Sequence, residues 1–199
     1  MRGFTMTNKA AARELTKTAL KEAFWSLYQQ KSIEHISIRE ITDRAGYNRG
    51  TFYLYFKDVY DILEQVEQSL IDAIYDSPLM RCAETATHIH VNEMIPGIIK
   101  IYQDFSPKLK VLLGPHGDPS FTLKIQNILK TELASTLNIP EDFPAESRAY
   151  YIEFITSGIM SVILKWISEE SSSCEYCLDD FIRTMVRMLA PFSNLDFVE

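Results

Sequence analysis

The chain has 199 residues, of which 46% are hydrophobic and 24% charged, and a formal net charge of −7. This length and apolar content allow a proper core, in one domain or in a small one plus a larger one, and exclude a disordered chain. Three cysteines are too few for a disulfide framework, no run of about 20 uninterrupted apolar residues offers a membrane span, and residues 1–17 lack the apolar core of a signal peptide, so a cytoplasmic protein with no membrane partner is expected. The charge is uneven: residues 1–60 hold ten Lys/Arg against six Asp/Glu, and residues 61–199 hold ten against twenty-one. A basic N-terminal piece on an acidic body points to a polyanion facing the first part only.

Residues 9–30 predict a first helix, with Leu20, Ala23, Phe24, Leu27 and Tyr28 as its apolar stripe. Residues 32–36 break the pattern. Ser37-Ile38-Arg39-Glu40 is a capping box that opens a short second helix with Ile38, Ile41 and Ala45 inward. Gly46 stands where a left-handed helix terminus is needed, and Asn48 is a good cap for a third helix. Residues 37–56 therefore read as helix, tight turn, helix, the layout that puts its second helix in a DNA major groove. Asp58 caps a fourth helix, Asp61 lies in its first turn, and Ile62, Val66, Leu70 and Ile74 recur along it until Ser77-Pro78. The expected organisation is a head over 1–60, a linking helix over 58–76 and a body over 77–199. Body helices are predicted near 92–105, 107–113, 120–137, 145–169 and 173–190, with a Gly/Pro turn at 114–119 and a loop at 138–144. Ser172 and Glu175 form a second capping box.

A helix started at Asn48 and turned 100° per residue puts Phe52 and Phe56 toward the head's core. Arg49, Gly50, Tyr53 and Leu54 fall on the opposite side, with Thr51 and Tyr55 on the flanks. Tyr47, in the turn, is either a plug for the helix angle or a contact residue. Such an outward face suits DNA. Arg49 can reach a guanine edge or clamp a phosphate, Gly50 lets the backbone approach, and Thr51 and the tyrosine hydroxyls can bond phosphate oxygens. Tyr53 or Leu54 can pack on a thymine methyl, and Ser37 and Arg39 open a helix whose amides favour a phosphate. The plainer reading is a compact helical hairpin with surface tyrosines.

Residues 37–41 (Ser-Ile-Arg-Glu-Ile) and 45–56 (Ala-Gly-Tyr-Asn-Arg-Gly-Thr-Phe-Tyr-Leu-Tyr-Phe) resemble the signature of the TetR (tetracycline-repressor-like) family of bacterial transcriptional regulators over about fifty residues. The resemblance implies an all-α protein: an N-terminal three-helix helix-turn-helix head, and a helical C-terminal body that binds a ligand and dimerises through its last two helices. One position departs from the family, whose usual lysine at the start of the fourth helix is Val59 here. Lys57 is the candidate substitute, and the amides of that helix start are a second. Leu112–Phe121 looks like a branch common in Gram-positive bacteria.

The residues agree with a dimer. Tyr151, Phe154, Ile155, Gly158, Ile159, Val162, Ile163, Trp166 and Ile167 form one wide apolar face, and Leu178, Phe181, Ile182, Met185 and Leu189 form another. Two such helices from each chain build a four-helix bundle. Met80, Met94, Ile98, Tyr102, Phe105, Phe121 and Trp166 are the candidate lining of an effector pocket, although a Met and aromatic stripe is more often plain core. The expected function is a dimeric repressor released from a palindromic operator by a small-molecule effector of unknown identity. The alternative is a co-activator or a regulator that answers to a partner protein. No cofactor or metal is implied: Cys174 and Cys177 lack a second ligand pair, and His88, His90 and His116 read as surface or turn residues. An enzyme is not expected, because no Gly-rich phosphate loop or Ser/His/Asp set occurs, and Glu153, Asp179 and Asp180 read as solvated carboxylates.

Overall fold

The computed structural model describes residues 3–76, 91–134, 137, 139, 144–169, 177–189 and 191. Every element of regular structure among them is helical. The elements run α1 (Gly3–Tyr28), a 3-10 turn (Ile33–His35), α2 (Ile38–Ala45), α3 (Arg49–Tyr53), α4 (Val59–Tyr75), α5 (Val91–Leu112), α6 (Pro119–Ala134), α7 (Ala145–Glu169) and α8 (Leu178–Leu189). The chain divides into two compact units, Met1–Leu70 and Ile71–Glu199, with the division inside α4.

The first unit is built on the stripe predicted for α1. Leu20, Phe24, Leu27 and Tyr28 are buried with Ile41 of α2, Phe52 and Phe56, and Ile62, Leu63, Val66 and Leu70 of α4. The Phe24 and Tyr28 rings stack at 5.5 Å. Polar ties fix the elements around this core. Lys21 Nζ donates to the Gln65 carbonyl at 3.2 Å and to Ser69 Oγ at 3.3 Å, which brackets α1 to α4. Arg44 of α2 donates to Ser26 Oγ of α1. Burial of the shared apolar stripe supplies most of the stability, because helices as short as α2 and α3 do not persist alone.

In the second unit, α6 packs on α7 and α5 on α8. Leu137, Ile155 and Ile159 form a buried cluster covered by Leu129, Leu133, Tyr151, Met185 and Leu189. Trp166 stacks on Phe181 with ring centroids 4.2 Å apart, and its Nε1 donates to the Tyr102 hydroxyl at 3.3 Å. These contacts tie α7 to α8 and to α5.

One expectation is corrected here. A break was predicted between residues 105 and 107, yet α5 runs unbroken with Pro96 and Pro107 inside it. A proline inside a helix costs about 3 kcal/mol. Ile101, Tyr102, Phe105, Leu109 and Leu112 continue one apolar stripe past Pro107, and Pro107 and Gln103 are both exposed, so water can satisfy the Gln103 carbonyl left without its partner. By length and composition alone α7 is apolar enough to cross a membrane, a test that packed helices of other proteins also pass. One side of it packs within the chain: Ile155, Ile159, Met160, Trp166 and Ile167 are buried, and its Glu153 is held by Lys130 of α6. The second capping box, Cys82, Cys174, His88 and His90 lie outside the described residues.

Candidate nucleic-acid interface

The site is assembled by local side-chain-to-backbone bonds. At the start of α2, the Glu40 amide donates to Ser37 Oγ at 3.3 Å and the Ser37 amide donates to Glu40 Oε2 at 3.0 Å, a complete capping box. Gly46 ends α2 at φ 75°, ψ 27°, and its amide closes back on the Thr42 carbonyl. The chain then turns into α3, where Asn48 Oδ1 accepts from the Thr51 amide at 2.8 Å and the Thr51 hydroxyl at 3.2 Å. Two tight caps and one left-handed residue thus fix the angle between α2 and α3.

The aromatic residues divide as the 100° rotation predicts. Phe52 and Phe56 are fully buried, with rings 5.4 Å apart. Tyr53 and Leu54 are 60% and 78% exposed, although Leu54 and Tyr55 lie in the turn after the five-residue α3 rather than within it. Arg49, Gly50 and Asn48 are exposed, while Thr51, Tyr55 and Tyr47 are half-buried. Among the described residues the exposed Arg49 side chain has no hydrogen bond or ion pair, so its guanidinium is open to an outside acceptor. Between α2 and α3 lies an open concavity of about 400 Å³ lined by Arg39, Thr42, Asp43, Tyr47, Asn48 and Arg49.

Three roles look different in three dimensions. The Ser37 amide and hydroxyl both serve Glu40, so this helix start already carries a carboxylate. At the start of α4, the amides of Tyr60 and Asp61 donate to Asp58 Oδ1 at 2.9 Å, and the Lys57 amide donates to Asp61 Oδ2 at 2.7 Å. The chain's own carboxylates therefore occupy the helix start that was to replace the missing lysine, while the Lys57 side chain is exposed. Gly50 has a local reason besides backbone approach: a Cβ there would meet Asn48 Oδ1 at 3.2 Å and crowd the cap.

Lys31, first in influence, and the Ser37 cap hold the Glu40 carboxyl down to about 2 from 4.5. A carboxyl depressed in the folded state stabilises above its unfolded value and loses that contribution as pH falls through the folded one. The melting-temperature advantage of wild type over Glu40→Gln is therefore expected to shrink steadily between about pH 4.5 and pH 2, as thermal melts at stepped pH would read. A gap independent of pH would rule out the ionised cap.

Sequence reasoning passed over Asp43 and Thr42. Thr42 is buried and bonds the Ile38 and Arg39 carbonyls, both at 3.0 Å. Asp43 Oδ2 accepts from Arg39 Nε at 3.4 Å. The signal for Asp43 was its spacing of four from Arg39 on one helix.

In the body, the candidate pocket residues separate. Phe121 is fully buried and Trp166 nearly so; Tyr102 joins Trp166; Ile98 and Phe105 are half-buried. Met80 and the Met94 side chain lie outside the described residues. The residues of the broad face proposed for dimerisation also divide. Ile155, Ile159, Trp166 and Ile182 are buried within the chain, Met185 and Leu189 cover the Leu137 cluster, and Phe181 stacks on Trp166. Phe154 is 71% exposed, Gly158 is exposed, and Val162 and Leu178 are half-buried. Cys177 is exposed and its Sγ lies 3.0 Å from Asp180 Oδ2. No group of three or more metal-binding side chains occurs among the described residues.

A capped helix-turn-helix with an outward Arg/Tyr face, joined to a helical second unit, defines the class of helix-turn-helix transcriptional regulators. Residues 22–66 match the model of bacterial regulatory proteins of the tetR family, and residues 90–188 match a transcriptional-regulator C-terminal region of the same family. The chain belongs to the TetR family of bacterial transcription regulators. It is 32% identical over 68 residues to the HTH-type transcriptional regulator YxbF of Bacillus subtilis (strain 168), a match covering 32% of this chain and only 18% of that protein. Its fold is shared with a TetR transcriptional regulator from Streptococcus agalactiae 2603V, at TM-score 0.66, 18% identity, and coverage of 92% of this chain and 98% of that one. It is likewise shared with the fatty acid degradation regulator FadR from Bacillus halodurans, at TM-score 0.59, 18% identity, and coverage of 87% and 94%.

Proposed function

We propose that the chain is a cytoplasmic, dimeric repressor that leaves a palindromic operator when a small molecule binds its body. The observation that carries the reading is the two-sided α3 and the turn after it: Phe52 is buried while Arg49, Tyr53 and Leu54 face outward. Arg49 and the Tyr53 hydroxyl contact base edges and phosphates; Arg39, Tyr47, Asn48, Thr51, Tyr55 and Lys57 complete the face. A twofold pair of such faces meets successive major grooves about 34–36 Å apart. The exposed stripe of Tyr150, Phe154 and Gly158 on α7 supports pairing with a second copy, since these residues repeat every four positions on one helix side. A Cβ at Gly158 would meet nothing within 4 Å, so the space above it is open to another helix. Ile98, Tyr102 and Phe105, along α5, are the proposed effector-facing residues; the buried Phe121 and Trp166 support them from the core. An effector releases DNA by preferring a head spacing that the operator does not fit.

Arg49→Ala and Tyr53→Ala are each expected to weaken operator binding ~10- to 100-fold, the loss of about 1–3 kcal/mol that accompanies one good contact. Fold and oligomeric state should stay unchanged. Gel-shift titration on duplexes selected from a random pool, with sedimentation of the same samples, reads both. Unchanged affinity in both variants would refute this face.

A further inference from the structure

The concavity between α2 and α3 holds one carboxylate among its cations. Asp43 and Arg39 form an open pair, with side chains 67% and 73% exposed and 3.4 Å between Oδ2 and Nε. A pair this exposed and this loose contributes little to folding. On a surface that meets a polyanion, the carboxylate is also unfavourable, because every nearby phosphate repels it. Its effect must therefore be sought in what it does to the cations beside it.

It offsets Arg39 and leaves Arg49 alone. Arg39 is partnered through Nε, whereas Arg49 has no ion pair among the described residues. Phosphate attraction is the same at every sequence, so each cation neutralised in the free protein lowers indifferent binding. Base edges behave otherwise: a guanine offers two acceptors to an unpartnered guanidinium, and a cytosine amino group offers a donor that a carboxylate accepts. A carboxylate beside a free arginine thus penalises all DNA alike and is compensated only where the bases are right.

We propose that Asp43 is a specificity-determining residue of the DNA face, which holds down sequence-independent binding by offsetting Arg39 and so leaves Arg49 to discriminate. The inference rests on the DNA-binding face proposed above. It is tested with full-length Asp43→Asn on two probes: a duplex selected by the wild type from a random pool, and a shuffled duplex of equal length and composition. Affinity for the shuffled duplex is expected to rise ~3- to 10-fold with a salt slope steeper by about one, as for one added phosphate contact. Affinity for the selected duplex should change less, so the ratio between the two falls, while the melting temperature stays put. A ratio unchanged from wild type, or a loss confined to the selected duplex, would overturn the role. If the wild type itself selects no duplex, the face fails as well as the inference, and that outcome is distinct from a specific wild type whose variant keeps its ratio.

Discussion

Phe52→Ala is expected to unfold the first unit and abolish operator binding while the second unit keeps its helices. Phe52 is the buried residue of a five-residue helix and lies against Phe56 at 5.4 Å. A helix of that length has no stability of its own. It holds its place because the ring is buried and because Asn48 caps it. Removing a buried phenylalanine costs about 3–5 kcal/mol. A unit of seventy residues, Met1–Leu70, has a total stability of about 4–10 kcal/mol. The loss is thus comparable to the whole, and the head should be largely unfolded near physiological temperature. Phe52→Leu should keep most of the fold by retaining volume. The contrast with Arg49→Ala is the decisive feature: one variant loses binding together with helical signal, the other loses binding alone. Circular dichroism melts beside gel-shift titration separate them. A Phe52→Ala protein with a wild-type melt and affinity would show that the ring is not what holds α3 in place.

Much of the head was legible because its rules are local. The capping box of Ser37 and Glu40, the left-handed Gly46 and the Asn48 cap each concern residues within three or four positions of one another, and each is present. The inward Phe52 and outward Tyr53 follow from helical rotation alone. The body was less legible because its decisive contacts are between elements. On α7, Phe154 and Gly158 lie one position from Ile155 and Ile159, and both stripes are apolar or small enough to be buried. Only the helices that pack on α7 decide that 155 and 159 go inward. Likewise, nothing local says that burial along α5 outweighs Pro107. Asp43 was missed for a different reason. A surface carboxylate has no hydrophobic period to betray it, and its meaning depends on the concavity that α2 and α3 make together.

Gly117→Ala is expected to destabilise the second unit by roughly 3 kcal/mol or more, the upper range for overpacking into a rigid neighbour. A Cβ at this position would stand 2.0 Å from the Leu112 carbonyl oxygen and 2.5 Å from its carbon. Both are backbone atoms, so no side chain can rotate away. The turn cannot easily shift either. The Gly117 amide donates to the Gly114 carbonyl at 2.9 Å. Asp118 then caps α6, accepting from the Ser120 amide at 2.8 Å and from its hydroxyl at 2.6 Å. Leu112 on one side and Phe121 on the other are fully buried, so moving the turn means moving the core. Gly46 is the internal control. Its φ is 75°, and a Cβ there would meet nothing within 4 Å, so its requirement is conformational rather than spatial. Alanine at 46 should cost only about 1–2 kcal/mol, and asparagine, which tolerates the left-handed region, less. At 117 asparagine should fare no better than alanine, because the obstacle is the carbonyl and not the dihedral angle. Urea unfolding of the four variants gives the comparison directly. If Gly117→Asn and Gly46→Asn were equally mild, the close approach of the turn to Leu112 would not be what position 117 requires.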